Sequence, residues 1–105
     1  MRILESSLER KVVAYAESIG YITFKVSTVS SRGWPDRVFI DANGHHIYVE
    51  LKQAGKKPRK LQLHRIQQLH ERGVEVHWTS DYATVKKILD QNQGKLASVT
   101  TLPPP

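Results

Sequence analysis

Cysteine is absent from the 105 residues, which excludes disulfides and thiolate zinc sites and leaves the redox compartment open. Long apolar runs are missing too: none approaches the ~20 residues that a membrane-spanning helix needs. The opening residues Met1-Arg2-Ile3-Leu4-Glu5 lack the apolar centre of a secretory signal, so a cytoplasmic protein without a membrane partner is expected. Acidic residues are scarce beside basic ones, 10 against 16, for a formal net charge of +6 and a pI near 9.8. That excess favours a polyanionic partner. Nucleic acid comes before membrane, because no strongly amphipathic basic helix stands out. There is no internal repeat, and the length allows one small domain with one core.

What is present is a series of short elements with clear stops. Residues 5–19 carry Leu8, Val12, Tyr15 or Ala16, and Ile19 at helical spacing, and Gly20 supplies the stop. Continued back one turn, the stripe lands on Glu5. A carboxylate there is either a first-turn acid that favours the helix dipole or a residue kept for chemistry. Glu9 lies about 100° around the helix from Leu8 and is expected to face water. Residues 21–27 have the β-branched and aromatic content of a strand. A loop follows, and Gly33-Trp34-Pro35 forms a stiff entry to a strand over 37–41. After a turn comes a strand over 46–52, then a loop over 53–60 punctuated by Gly55 and Pro58. Residues 61–72 read as a helix stopped by Gly73, with Gln62, Ile66 and Leu69 on one face. A strand over 74–79 leads to Ser80 or Asp81, which caps a last helix to about residue 91 with Tyr82, Val85 and Leu89 inward. Residues 92–105 are polar and end in three prolines, a flexible tail outside a single domain over 1–91. The order α-β-β-β-α-β-α predicts an α/β fold, a mixed central sheet flanked by helices.

The stretch from Trp34 to Lys52 organises the rest. Two strands flank a turn, with Asp36 near the outer end of the first and Glu50-Leu51-Lys52 closing the second. A two-residue Asn43-Gly44 loop pairs Asp36 with Leu51, which puts Asp36 and Glu50 on opposite faces and leaves the cleaner apolar face. A three-residue loop, Ala42-Asn43-Gly44, pairs Asp41 with His45 and sets Asp36 opposite Glu50. Asp41 and Gly44 suit a type I turn with a glycine bulge. Turn chemistry leaves both open. Only the second assembles a site, and it is the register expected here.

Two carboxylates and an ammonium in one place suit hydrolysis of a phosphodiester with a divalent metal. Such an ester is shielded by its own negative charge, so cleavage needs cations, an activated water and stabilisation of the leaving oxygen. Hard oxygens favour Mg²⁺ or Mn²⁺. Asp36 and Glu50 can hold one such ion, the Leu51 carbonyl can add a third ligand, and Lys52 can orient water or stabilise the transition state. Beside this site, five of the nine residues from Lys52 to Lys60 are Lys or Arg. That run is either a solvated face or a phosphate-binding loop.

These residues resemble the PD-(D/E)xK nuclease superfamily, with Pro35-Asp36 followed by Glu50-Leu51-Lys52 on an αβββαβ core. The closer resemblance is to the VRR-NUC family, which has a Glu early in the first helix, a Gly-x-Pro-Asp segment before the second strand, and a Gln opening the helix after the ExK strand. Glu5, Gly33-Trp34-Pro35-Asp36, Glu50-Leu51-Lys52 and Gln62 match that pattern, from about residue 5 to 81. The resemblance implies a restriction-endonuclease-like fold and Mg²⁺- or Mn²⁺-dependent cleavage of structured DNA. Asp36, Glu50 and the Leu51 carbonyl become metal ligands, Lys52 catalytic, Glu5 an acid reaching the metal or its waters, and Gln62 a support. Small stand-alone members, typical of bacteriophages and bacteria, look like Holliday-junction resolvases that act as homodimers. The expected setting is therefore the cytoplasm of a bacterial cell or phage-infected host.

Arg32, Arg37, Lys56, Lys57, Arg59 and Lys60 are reasonable phosphate contacts, and Trp34 either packs on the sheet or stacks near exposed bases. His45, His46, His64, His70 and His77 form no HExxH and have no Cys partner, so they read as surface or strand residues. The rival readings are a DNA-binding module of the same fold that does not cut, a nuclease acting on flaps or linear DNA, and a solely structural domain.

Overall fold

Ser6 opens the first helix, its hydroxyl accepting the Glu9 amide at 3.1 Å and satisfying a donor that a helix start leaves unpaired. The elements are α1 (Ser7–Ser18), β1 (Ile22–Lys25), β2 (Arg37–Ile40), β3 (His46–Leu51), α2 (Lys60–Glu71), β4 (Glu75–Thr79) and α3 (Tyr82–Gln93), in the order the sequence predicts. The structure is a computed structural model and describes residues 6–26 and 32–93; Glu5 lies outside the described residues. Among the described residues no helix is long and apolar enough to cross a membrane.

The four strands lie side by side as β1-β2-β3-β4. The first two pairs are antiparallel and β3–β4 is parallel, so the sheet is mixed. A parallel neighbour needs a crossover, and α2 supplies it. The hairpin closes on three residues: the Asp41 amide donates to His45 O at 3.1 Å and the Gly44 amide to Asp41 O at 3.0 Å. Gly44 sits at φ +83°, the left-handed position that such a bulge reserves for glycine. One Asp41 carboxylate oxygen accepts the amides of Asn43 at 2.8 Å and His45 at 2.9 Å, fixing the turn from inside.

Side chains alternate across a strand, so the sheet has two unlike faces. Phe39, Ile47 and Val49 point one way and form the core with Val12 and Ala16 of α1, Val85 and Leu89 of α3, and Tyr21. Phe39, Ile47, Val49, Val85 and Leu89 are each fully buried. The Tyr21 hydroxyl donates to Leu89 O at 2.8 Å and ties the start of the sheet to the last helix. Val38, Tyr48 and Glu50 alternate onto the opposite face, where α2 packs. Asp81 accepts the Thr84 amide at 3.1 Å and caps α3 as expected.

One boundary moves. The tail is expected from residue 92, yet α3 runs through Gln93 and Asn92 is buried. Its side-chain amide donates to Ile88 O at 2.9 Å and lies 3.3 Å from Glu75 Oε2, which carries the helix two residues further.

Candidate active site

Glu50, near the end of β3, is only 6% exposed, and a carboxylate that deep needs partners. It has two on the same oxygen. Gln62 Nε2 donates to Oε2 at 3.1 Å, and Lys52 Nζ lies 3.3 Å from it. Gln62 is itself held at its other end, where Oε1 accepts the Arg59 amide at 2.8 Å. As the third residue of α2 it reaches back to the helix start, so capping the helix and orienting Glu50 are one arrangement. A polar residue at the end of an apolar stripe is thereby explained.

Asp36 comes from the strap before β2. The observed register, Arg37 opposite Val49, carried one residue outward sets Asp36 opposite Glu50, as the three-residue turn requires. The Asp36 carbonyl accepts the Val26 amide at 2.7 Å, which fixes the strap against β1. Burial, and then the charge of Glu9, push the Asp36 carboxyl above its usual range against the pull of Lys25 and Arg37. Burial, and then the charge of Asp36, do the same to Glu50, with Lys52 opposing. Two desolvated acids thus repel each other at one end of the hairpin, an arrangement that a cation relieves.

Among the described residues no group of three or more His, Asp or Glu side chains forms a ready metal cage. The groups that could hold an ion are fewer: the Asp36 and Glu50 carboxylates and the Leu51 main-chain carbonyl between Glu50 and Lys52. That set fits a hard divalent ion that keeps several of its own waters, as Mg²⁺ does.

Glu9 corrects an expectation. It does not face water: it is 8% exposed and meets Arg37 Nε at 2.9 Å and Lys25 Nζ at 3.6 Å. Arg37 alternates onto the core face of β2, and a guanidinium buried to 4% exposure requires an acid. Glu9, Val12 and Ala16 form the buried edge of α1, so the inward face lies around from Leu8. Among the described residues Glu9 is the α1 acid whose charge reaches Asp36. The available signal was its place three residues before Val12, on the same helix face.

The same pair removes Arg37 from the phosphate contacts. Its Nε is taken by Glu9 and its NH1 lies 3.1 Å from Thr23 Oγ1, behind the sheet. Lys56, Lys57 and Arg59 line a cleft of about 380 Å³ with Lys52, and Lys60 and Arg32 are exposed. Trp34 is half-buried under Arg65, whose guanidinium carbon sits 4.3 Å from the ring centroid while Arg65 Nε donates to Arg32 O at 3.1 Å. His45 and His77 converge on Glu75 at 2.7 and 2.9 Å, at the turn end of the hairpin and away from Glu50.

No model of a protein family matches the chain. A phage protein named "Putative nuclease p44", from Acyrthosiphon pisum secondary endosymbiont phage 1, is 38% identical over 77 residues, covering 72% of this chain and 83% of its own length. A solved VRR_NUC domain superposes with a TM-score of 0.73 at 25% identity, over 79% of this chain and 90% of the domain. The mixed four-stranded sheet with three helices is the fold of that domain. With the fold and a phage relative in agreement, this chain belongs to the VRR-NUC nuclease family.

Proposed function

We propose that this protein is a divalent-metal-dependent endodeoxyribonuclease that cuts structured DNA, resolving four-way junctions as a homodimer in the cytoplasm of a bacterial or phage-infected cell. The convergence of Lys52 and Gln62 on one oxygen of Glu50, with Asp36 set opposite, carries the reading. Asp36, Glu50 and the Leu51 carbonyl would hold Mg²⁺ or Mn²⁺, which would offset the negative charge of the phosphodiester. Glu5 is the acid that reaches the metal or its waters, and Glu9 acts on the pair from α1 through its charge on Asp36.

Hydrolysis joins a water oxygen to phosphorus and breaks the bond to the leaving sugar oxygen. Lys52, held 3.3 Å from Glu50, brings an ammonium to that reaction, orienting the water and stabilising the charge that builds on the phosphoryl oxygens. Gln62 keeps Glu50 in one orientation so that the ligand set is formed in advance. Lys56, Lys57, Arg59 and Lys60 meet the flanking phosphates, which makes binding weaken steeply with salt. A two-fold junction offers two equivalent strands, and a dimer with two sites matches that symmetry.

The test is an end-labelled synthetic four-way junction beside a matched linear duplex, each with Mg²⁺, with Mn²⁺ and with chelator. Paired metal-dependent cuts in the junction, with the linear duplex spared, support the reading. Lys52→Ala should then lower cleavage by roughly 10²-fold or more while DNA binding persists. Binding without product in either metal identifies a non-cutting module, and equal cutting of both substrates removes junction preference.

A further inference from the structure

Resting on the nuclease reading above, we propose that the cavity between Trp34 and Tyr48 is a receptor for one unpaired nucleobase next to the phosphate to be cut. The cavity, about 210 Å³, is lined by Val26, Trp34, Pro35, Tyr48 and Leu69. Two of its walls are aromatic and the rest are apolar. It is far smaller than a site for an extended ligand, and nothing in its lining binds a charge. A flat heteroaromatic ring matches both properties, since every base offers a π-face to stack whatever its identity.

Position ties the cavity to the acids. Pro35 is joined directly to Asp36. Tyr48 precedes Glu50 by two residues on the same strand face, about 7 Å along the strand. A nucleotide whose phosphate lies at Asp36 and Glu50 therefore has the cavity within reach of its own base. The charges also match a nucleotide: Lys52 stands at the phosphate end and the Arg65 guanidinium beside Trp34.

The walls are held in place before any ligand arrives. Arg65 covers Trp34 at 4.3 Å and is fixed through Nε to Arg32 O and through NH1 to Gln68 Oε1, both at 3.1 Å. Tyr48 stacks on His46, with ring centroids 6.4 Å apart and 25° between planes. A base inside a matched duplex keeps both faces in the stack and must leave it to enter, at a cost that is smallest for a base already unpaired. The cavity thus favours DNA with an unpaired nucleotide at the branch or bulge.

The experiment compares a matched duplex with the same duplex carrying one unpaired 2-aminopurine nucleotide, bound in chelator so that nothing is cut. Wild type should bind the second about tenfold more tightly, within the range that loss of one base–aromatic stack produces, and the probe's fluorescence should fall on binding. Tyr48→Leu keeps an apolar side chain but no π-face, and should bring affinity for the unpaired substrate down to that for the duplex. Trp34→Leu should do the same, so the test does not hang on one variant's folding. Lys57→Ala should weaken both substrates alike and leave their ratio unchanged. Equal wild-type affinities, an unquenched probe, or a ratio that survives both aromatic variants overturns the proposal. A parallel arm in Mg²⁺ separates the two readings. Cutting without preference keeps the nuclease and removes the cavity's role, and preference without cutting does the reverse.

Discussion

Asp36 and Glu50 are held above the usual carboxylate range by burial, then by a neighbouring acid's charge. The folded chain therefore binds these protons more tightly than the unfolded chain does. Stability contributed by the protonated forms is present at low pH and lost as pH rises from the ordinary carboxylate range through the raised folded values. At neutral pH the metal-free protein carries that repulsion in full. Asp36→Asn should consequently raise the melting temperature in chelator and abolish cleavage in Mg²⁺. Calorimetry with and without Mg²⁺ checks it: the metal should stabilise wild type through binding to the folded state and leave the Asn variant unmoved.

Asp36, Glu50, Lys52 and Gln62 were legible because each sits in a local pattern, a Pro-Asp step, a Glu-x-Lys strand end and a helix start. Glu9 and Arg37 were not. Each was assigned to solvent or phosphate because its partner lies 28 residues away, and neither local pattern mentions the other. A helical angle measured from Leu8 could not reveal a guanidinium arriving from the sheet.

At the scale of elements, the strap before β2 depends on a close approach to α2. Gly33 has φ +86°, and a Cβ there would lie 2.7 Å from Leu61 Cγ and 3.2 Å from Arg65 Cγ. Real Cβ atoms do not come that near. Gly33→Ala should cost about 1–3 kcal/mol in urea denaturation through strain and crowding, and should lower cleavage because Asp36 is three residues on. Gly55→Ala is the control: its φ of +83° is as demanding, but nothing lies within 4 Å, so only the backbone cost of about 1 kcal/mol remains. Glycine and proline in the sequence marked this segment as a stiff entry. They could not show that a helix 28 residues later presses on it.

At the scale of the whole molecule, one sheet separates a dry side from a chemical side. Element order and sheet composition were legible from periodicity and stops. The depth of Asn92 was not, since a polar residue before three prolines reads as tail. The dry side is fastened by the Tyr21 hydroxyl on Leu89 O, and burial, followed by the charge of Asp41, pushes that phenol up to about 12. The unfolded phenol ionises near its ordinary value of 10.0, earlier than the folded one, so this contribution is present below pH 10 and lost as pH climbs towards 12. Tyr21→Phe should cost about 1 kcal/mol at neutral pH by losing the hydrogen bond. The gap between the two proteins in urea titrations should close over that alkaline range. A gap that stays constant from pH 8 to about 12 would sink the assignment.

The turn at Asp41 reaches further than its position suggests. Residues 42–44 can be closed in two ways, and the pairing chosen there is copied residue by residue along the hairpin to Asp36, roughly 17 Å away. The turn therefore acts as a proofreader for chemistry it never touches. Asp41→Ala removes the carboxylate that gathers the Asn43 and His45 amides and frees the pairing in which Asp36 and Glu50 look away from each other. Such a chain should keep its helices and its circular dichroism while its specific activity falls, because part of the population is spelled one residue out of step. Deleting Ala42 should have the opposite outcome. Asn43-Gly44 then forms a two-residue turn that still closes on Asp41 and His45, and only the productive frame remains.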